Sequence, residues 1–225
     1  MINLIYLPLT IALYIFAKRL QQRYPSPWLN PVLISLTVLV IALLSFGIAF
    51  SDYNQYSGWL SELLQPAVVA LGVPLYKQLH EIKRELPRIA LTVLAAVLIA
   101  VSSTLLMALL VGATPVIAAS LSPKSVTTPI AVLISEQVQG QPALSAIAVL
   151  ITGLVGAVAG LPTLRLFGIH SIKAQGIAMG TACHALGTAR ISEDGHQQGA
   201  YSALALVLSA IFTAILCPMI VPFIF

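Results

Sequence analysis

Charge is what this sequence has least of. Among 225 residues there are 11 Lys and Arg and 7 Asp and Glu, 8% of the chain, where soluble domains carry about a quarter. No such residue occurs from Ile89 to Pro123, from Gln137 to Leu164, or from Gln197 to Phe225. Each of these runs exceeds the roughly 20 apolar residues needed to cross a bilayer. A separate soluble domain is thereby excluded, and any function sits within the membrane or at its surfaces. There are only two cysteines, Cys183 and Cys217, both in apolar surroundings. A structural disulfide has no support, and small apolar packing is their expected role. Enzyme signatures are missing too: no phosphate-cradling glycine loop, no zinc-ligand spacing and no Gly-x-Ser-x-Gly elbow. Catalysis, a metal and a cofactor are therefore not expected.

What is abundant is apolar surface, 59% of residues with a mean hydropathy of +0.98. The expectation is an all-α polytopic membrane protein whose partner everywhere is the lipid bilayer. The net charge of +4 does not imply nucleic acid, because the Lys and Arg residues are concentrated between apolar segments, where they act as topology signals. Met1 to Ala17 runs into Lys18 and Arg19, the reverse of a cleaved signal peptide, so a retained first span is expected. Further spans are expected at Trp28 to Phe50, with Trp28 at the interface and Asn30-Pro31 suited to a helix start, Trp59 to Leu79 with kinks at Pro66 and Pro74, Ile89 to Val111, Pro142 to Leu164 and Gly199 to Phe225. That makes about six transmembrane helices. The basic loops containing Arg23 and Lys83, Arg84 and Arg88 are placed in the cytoplasm, which puts both termini outside.

Two polar interruptions depart from this pattern, Ser120 to Pro129 and Thr181 to Arg190. Irregular backbone at membrane depth persists only where protein buries it or where it lines a wet cavity. If Val116 to Val138 crossed fully, the loop with Arg165, His170 and Lys173 would fall outside, against the charge rule. A re-entrant hairpin with its tip near Pro123 to Val126 avoids that conflict, and the second interruption then enters from the cytoplasmic side. Sliding the chain by 57 residues aligns Glu136 with Glu193, Gln141 with Gln198, Ser145 with Ser202, and several alanines. The two broken or re-entrant segments are thus expected to form an inverted repeat, the plan of many secondary transporters. Residues 1–111 would be N-terminal scaffold helices, 112–164 the first half-repeat and 165–225 the second.

The interruptions hold the chemistry. Lys124, between Pro123 and Ser125 in a long apolar region, is expensive without a partner or water, and such residues are functional candidates. The alternative is a lysine that snorkels from an interfacial loop tip. Ser122, Ser125, Thr127 and Thr128 supply hydroxyls that either bind an anion or cap a half-helix. In the second segment Thr181, His184, Gly187, Thr188 and Arg190 form the corresponding set. Glycines there serve close backbone approach or only helix packing. Arg190 either binds substrate or pairs with Glu193 or Asp194. His184 titrates near neutrality when unperturbed, and either couples protons or is hydrogen-bonded within the protein. A lysine, hydroxyls and half-helix N-termini together favour a small anion.

Three stretches carry a family resemblance: Leu64-Gln65-Pro66-Ala67-Val68-Val69-Ala70-Leu71, Pro123-Lys124-Ser125-Val126-Thr127-Thr128-Pro129-Ile130-Ala131, and Ala178 to Arg190 with Cys183-His184-Ala185-Leu186-Gly187-Thr188 at its centre. They resemble the signatures of the LrgB/CidB family over nearly the whole chain. The resemblance implies a bacterial inner-membrane protein, often paired with a small LrgA/CidA-like, holin-like membrane protein. It implies one of two activities: antiholin-like control of murein hydrolase export, or transport of pyruvate and related short carboxylates. A related plastid carrier handles glycolate and glycerate. A homodimer is a further expected partner state, and the small carboxylate anion fits the residues above without assigning each a role.

Overall fold

A computed structural model describes residues 6–24, 26, 29–63, 66, 76 and 83–224, and the described residues are helical with no strand. They fall into two compact units, Met1–Leu71 and Gly72–Phe225.

The first unit contains α1 (Tyr6–Arg23), α2 (Pro31–Ser45), α3 (Phe50–Ser57) and α4 (Trp59–Glu62). Helix α2 starts where Asn30-Pro31 predicts. The Asn30 side chain accepts hydrogen bonds from Val32 N at 2.9 Å and Leu33 N at 3.2 Å, and Pro31 occupies the first turn, where a missing N–H costs nothing. Helix α1 differs from expectation, because it continues past Ala17 through Lys18 and Arg19 to Arg23. Lysine and arginine are good helix formers, so the helix runs on through these charges. The Trp28 anchor and the Pro74 kink lie outside the described residues.

In the second unit the long elements are α5 (Leu86–Leu110), α8 (Pro142–Leu166) and α10 (His196–Ile224), each long and apolar enough to cross a membrane. Helix α5, grouped with the N-terminal scaffold on sequence grounds, packs in this unit through a stripe of Ile89, Val93, Val97, Val101 and Leu105. The spacing of four keeps those side chains on one face. They share one apolar core with Ala200, Leu204 and Ala205 of α10. A second face of α5, with Leu91, Leu98, Ile99 and Leu106, is exposed, as a lipid-facing surface would be.

Between the long helices lie two broken ones. The first consists of α6 (Pro115–Leu121), a turn, and α7 (Thr128–Gln137). The turn backbone pairs with itself, Ser122 N to Ala118 O, Lys124 N to Leu121 O and Val126 N to Pro123 O. The chain then returns toward its starting level, since Gln137, Val138 and Gln139 line a small cavity together with Pro115, Val116 and Ala119. The second is α9 (Ile172–Ser192), broken at His184, whose φ of 43° and ψ of −139° are not helical. Here too the chain folds back. A methyl group added at Gly187 would lie 2.8 Å from the carbonyl oxygen of Met179, eight positions earlier, whereas a straight helix would separate them by about 12 Å.

Each fold-back is tied to the following long helix by a serine. Ser145 on α8 donates to the carbonyl of Ser120, and Gln141 N donates to Ser120 Oγ at 2.6 Å. Ser202 on α10 meets Thr188 Oγ1 at 2.9 Å, and its backbone touches Gly180 so closely that a Cβ there would strike the Ser202 carbonyl. Ser145 and Ser202 are both fully buried, and they are one of the pairs aligned by the 57-residue shift. On α8, which passes through a π turn at Gly156–Gly160, Gly153, Gly156 and Gly160 receive His184, Cys183 and Met179 of α9. Small residues of this kind let helices approach where no hydrophobic effect drives them together.

One end of this unit is fastened by ion pairs. Glu85 before α5 pairs with Lys173 in the first turn of α9, and Tyr201 of α10 donates to the same carboxylate at 3.3 Å. Arg165 at the end of α8 and Arg190 of α9 both hold Asp194, each at 2.7 Å. Both ends of α9 therefore lie at this side. The hydrogen bond from Lys173 holds the Glu85 carboxyl below its usual 4.5, with burial opposing it.

Gly180→Leu should overpack the α9–α10 contact, a change costing about 1–3 kcal/mol or more. Thermal unfolding in detergent is expected to show a midpoint lowered by roughly 5–10 °C. A lowered carboxyl pKa contributes stability that is present above the unfolded value and lost as pH falls through the folded one. Wild type and Glu85→Gln should therefore differ at pH 7 and converge below pH 4.5, as read from their unfolding midpoints. Because the pair is exposed, the difference should be small.

Candidate functional site

Between α5, α8, α9 and the turn of the first broken helix lies a cavity of about 990 Å³. Thr92, Ala96, Ala100 and Ser103 form its α5 wall, a third face of that helix that runs about 16 Å along the axis. Helix α8 contributes Thr152, Val155 and Gly156, and α9 contributes Ser171, Lys173, Ile177, Thr181 and Cys183. Lys124 and Ser125 enter from the turn. The walls are mostly apolar and small, with scattered hydroxyls and two lysines. Among the described residues they contain no carboxylate.

Lys124 is the distinctive group. Its Nζ donates to Ser125 Oγ at 3.3 Å, and among the described residues it forms no salt bridge. Opposite the turn, the Thr181 hydroxyl is buried and has no hydrogen-bond partner among the described residues. That oxygen is closed off from the cavity as well, so only the rest of the Thr181 side chain lines it. A lysine without an acidic partner among the described residues, in a cavity whose described walls hold no carboxylate, makes a site that suits an anion and opposes a cation.

The other residues singled out in the sequence are placed nearby but do not line this cavity. Ser122, Pro123 and Thr127 are buried in the turn, and Ser122 Oγ donates to Ala119 O at 2.8 Å. Thr127 occupies the N-cap position of α7 yet makes no side-chain capping bond, and Thr128 begins that helix. His184 is 4% exposed, and its Nε2 lies 2.9 Å from the Val149 carbonyl. A carbonyl only accepts, so Nε2 carries the proton. Gly153 makes room for this ring, since a methyl there would lie 2.6 Å from it. Gly187 packs against Met179. Thr188 Oγ1 donates to His184 O at 2.9 Å, closing the backbone at the break. Arg190 pairs with Asp194 and, at 3.5 Å, with Glu193, so the ion-pair alternative describes its geometry.

Three of the sequence candidates, Lys124, Ser125 and Thr181, therefore share the cavity, while His184 stands directly behind its wall next to Cys183. Sequence reasoning missed Thr92, Ser103 and Thr152, hydroxyl residues within otherwise apolar spans. Polarity inside a span was the available signal, but which face it occupied was not legible. Lys173, read as a topology charge, lines the mouth instead.

Comparison with known proteins agrees with the resemblance in the motifs. The family model described as LrgB-like family matches residues 10–223. Holin-like protein CidB of Staphylococcus aureus is 34% identical over 95% of this chain and 93% of its own length. Uncharacterized protein YwbG of Bacillus subtilis is 37% identical over 99% of both chains. A protein of Haemophilus influenzae is 36% identical over 96% of this chain and 94% of its own. No solved structure matches. With nearly every residue covered, from within α1 to the last turn of α10, this chain belongs to the LrgB-like family.

Proposed function

We propose that the protein carries a small monocarboxylate, of the pyruvate, glycolate or glycerate class, across the bacterial inner membrane. The observation that carries this reading is Lys124, a cation that among the described residues has no carboxylate partner and faces a cavity wall with no acidic group. Desolvating a lone ammonium is costly, and a bound carboxylate offsets that cost through a charge-assisted hydrogen bond. The cavity far exceeds the volume of a three-carbon acid, as suits a vestibule open at the Lys173 end and leading to Lys124.

In this reading the chain has six transmembrane helices and two re-entrant segments arranged as an inverted repeat. Two features support it: the paired serines Ser145 and Ser202, which play matching roles beside the two fold-backs, and the return of each broken helix to the side where it began. Basic residues put the Glu85–Lys173 end in the cytoplasm and both termini outside. The two fold-backs move against the long helices, so that access alternates between the cytoplasmic cavity and the opposite face. The expected partners are a small LrgA/CidA-like membrane protein and a second copy of this chain.

The name holin-like, printed for the Staphylococcus relative, favours a second reading as an antiholin-like regulator of murein hydrolase export. A path for folded hydrolases needs a large oligomeric pore. A carrier needs only a monomer or dimer with a sharp solute cut-off, and liposome leakage of graded dextrans separates the two.

In proteoliposomes, labelled pyruvate or glycolate uptake should saturate, and Lys124→Ala should lower uptake efficiency roughly ten- to hundredfold, the loss of one hydrogen bond to a charged group. Equal uptake by both proteins, or none above empty vesicles, rejects the carrier reading. Single cysteines replacing Ser171 and Gln139 should react with impermeant maleimide from the cytoplasmic and outer sides respectively. Labelling of both from one side rejects the topology.

A further inference from the structure

Lys173 is the second cation of the cavity, and its setting is the opposite of that of Lys124. It stands in the first turn of α9, lines the cavity at its mouth, and has a side chain 52% exposed. Its ammonium pairs with Glu85 from the residue before α5 and lies 5.8 Å from the ring centre of Tyr201 on α10. Tyr201 in turn donates to the second Glu85 oxygen. Three elements thus converge on one carboxylate, and that carboxylate is not itself part of the cavity wall.

We infer that Lys173 is a capture site for the incoming carboxylate, at which the substrate anion exchanges with Glu85 before passing inward to Lys124; this rests on the carrier reading above. The magnitudes favour exchange. An exposed ion pair adds little to stability, so a carboxylate of similar basicity displaces Glu85 at little cost. Glu85 keeps the Tyr201 hydrogen bond when it lets go. Behind Lys173 the same face of α9 carries Ile177 and Thr181, spaced one turn apart. Among the described residues the wall between mouth and turn therefore offers no competing charge, and the helix rises about 15 Å from Lys173 to Cys183. Attraction at the mouth also raises the local concentration of anions, an effect that salt screens. Glu85 then acts as a placeholder that keeps an empty mouth neutral and is exchanged only by another anion.

The test is initial-rate uptake of a labelled monocarboxylate into proteoliposomes at pH 7, measured at low and at high salt with wild type, Lys173→Gln, Lys173→Arg, Glu85→Gln and Lys124→Ala. Lys173→Gln should raise KM about five- to tenfold with Vmax changed less than twofold, and should flatten the salt dependence of KM. Lys173→Arg should restore both. Glu85→Gln, which uncovers Lys173, should lower KM. A purely structural pair would behave differently: Glu85→Gln and Lys173→Gln would then lose Vmax together, with the salt dependence intact, and that pattern overturns the capture site. So does an unchanged KM in Lys173→Gln while uptake remains saturable and dependent on Lys124. Absence of wild-type uptake removes the carrier reading and this inference with it. If Lys173→Gln fails to fold, the direction of the KM change in Glu85→Gln decides, a fall supporting capture and a rise or no change rejecting it.

Discussion

The structure depends on one constraint, that backbone amides and carbonyls in hydrocarbon have no water to fall back on. A helix broken at membrane depth would expose such groups, and this chain has two broken helices. In the first break the turn pairs Lys124 N with Leu121 O and Val126 N with Pro123 O, while Ser145 takes up the carbonyl of Ser120. In the second, Thr188 closes the carbonyl of His184 and meets Ser202. Hydroxyls on the flanking helices make the breaks affordable, and the breaks in turn deliver Lys124 and Thr181 to the cavity.

Close packing is the second half of the same solution. Gly180 lies directly on the backbone of Ser202, and Gly153 and Gly156 admit His184 and Cys183. Dispersion at short range replaces the hydrophobic effect, which is weak between helices that lipid solvates equally well. His184 shows what this support permits. It adopts a backbone conformation usually left to glycine, at a cost of order 1–3 kcal/mol, and its ring is anchored to the Val149 carbonyl. Strain of this kind persists only where its surroundings over-determine it, as the packing of Gly153 and the Val149 carbonyl does here.

Electrostatically the unit is graded from one end to the other. Ion pairs at the Glu85 and Asp194 end hold Lys173, Arg165 and Arg190, and among the described residues the cavity beyond them holds Lys124 and no acid. The polarity of its described walls follows from where the few carboxylates are not.

The sequence by itself determined the membrane class, through charge-free runs too long for anything but spans, and marked both breaks, through polar residues that hydrocarbon would not tolerate unaided. It also located the α2 start at Asn30-Pro31 and the exceptional lysine. Only the tertiary structure decided which of the polar residues share a cavity. Cys183, at the end of the helical part of α9, lines the cavity, while His184, where the backbone breaks, turns to Val149. Linear order carries no record of that rotation, nor of Lys173 meeting Glu85 from 88 positions away. Both follow from how the fold-back of α9 seats against α8 and α10, which is settled by glycine-to-backbone contacts between segments distant in the chain.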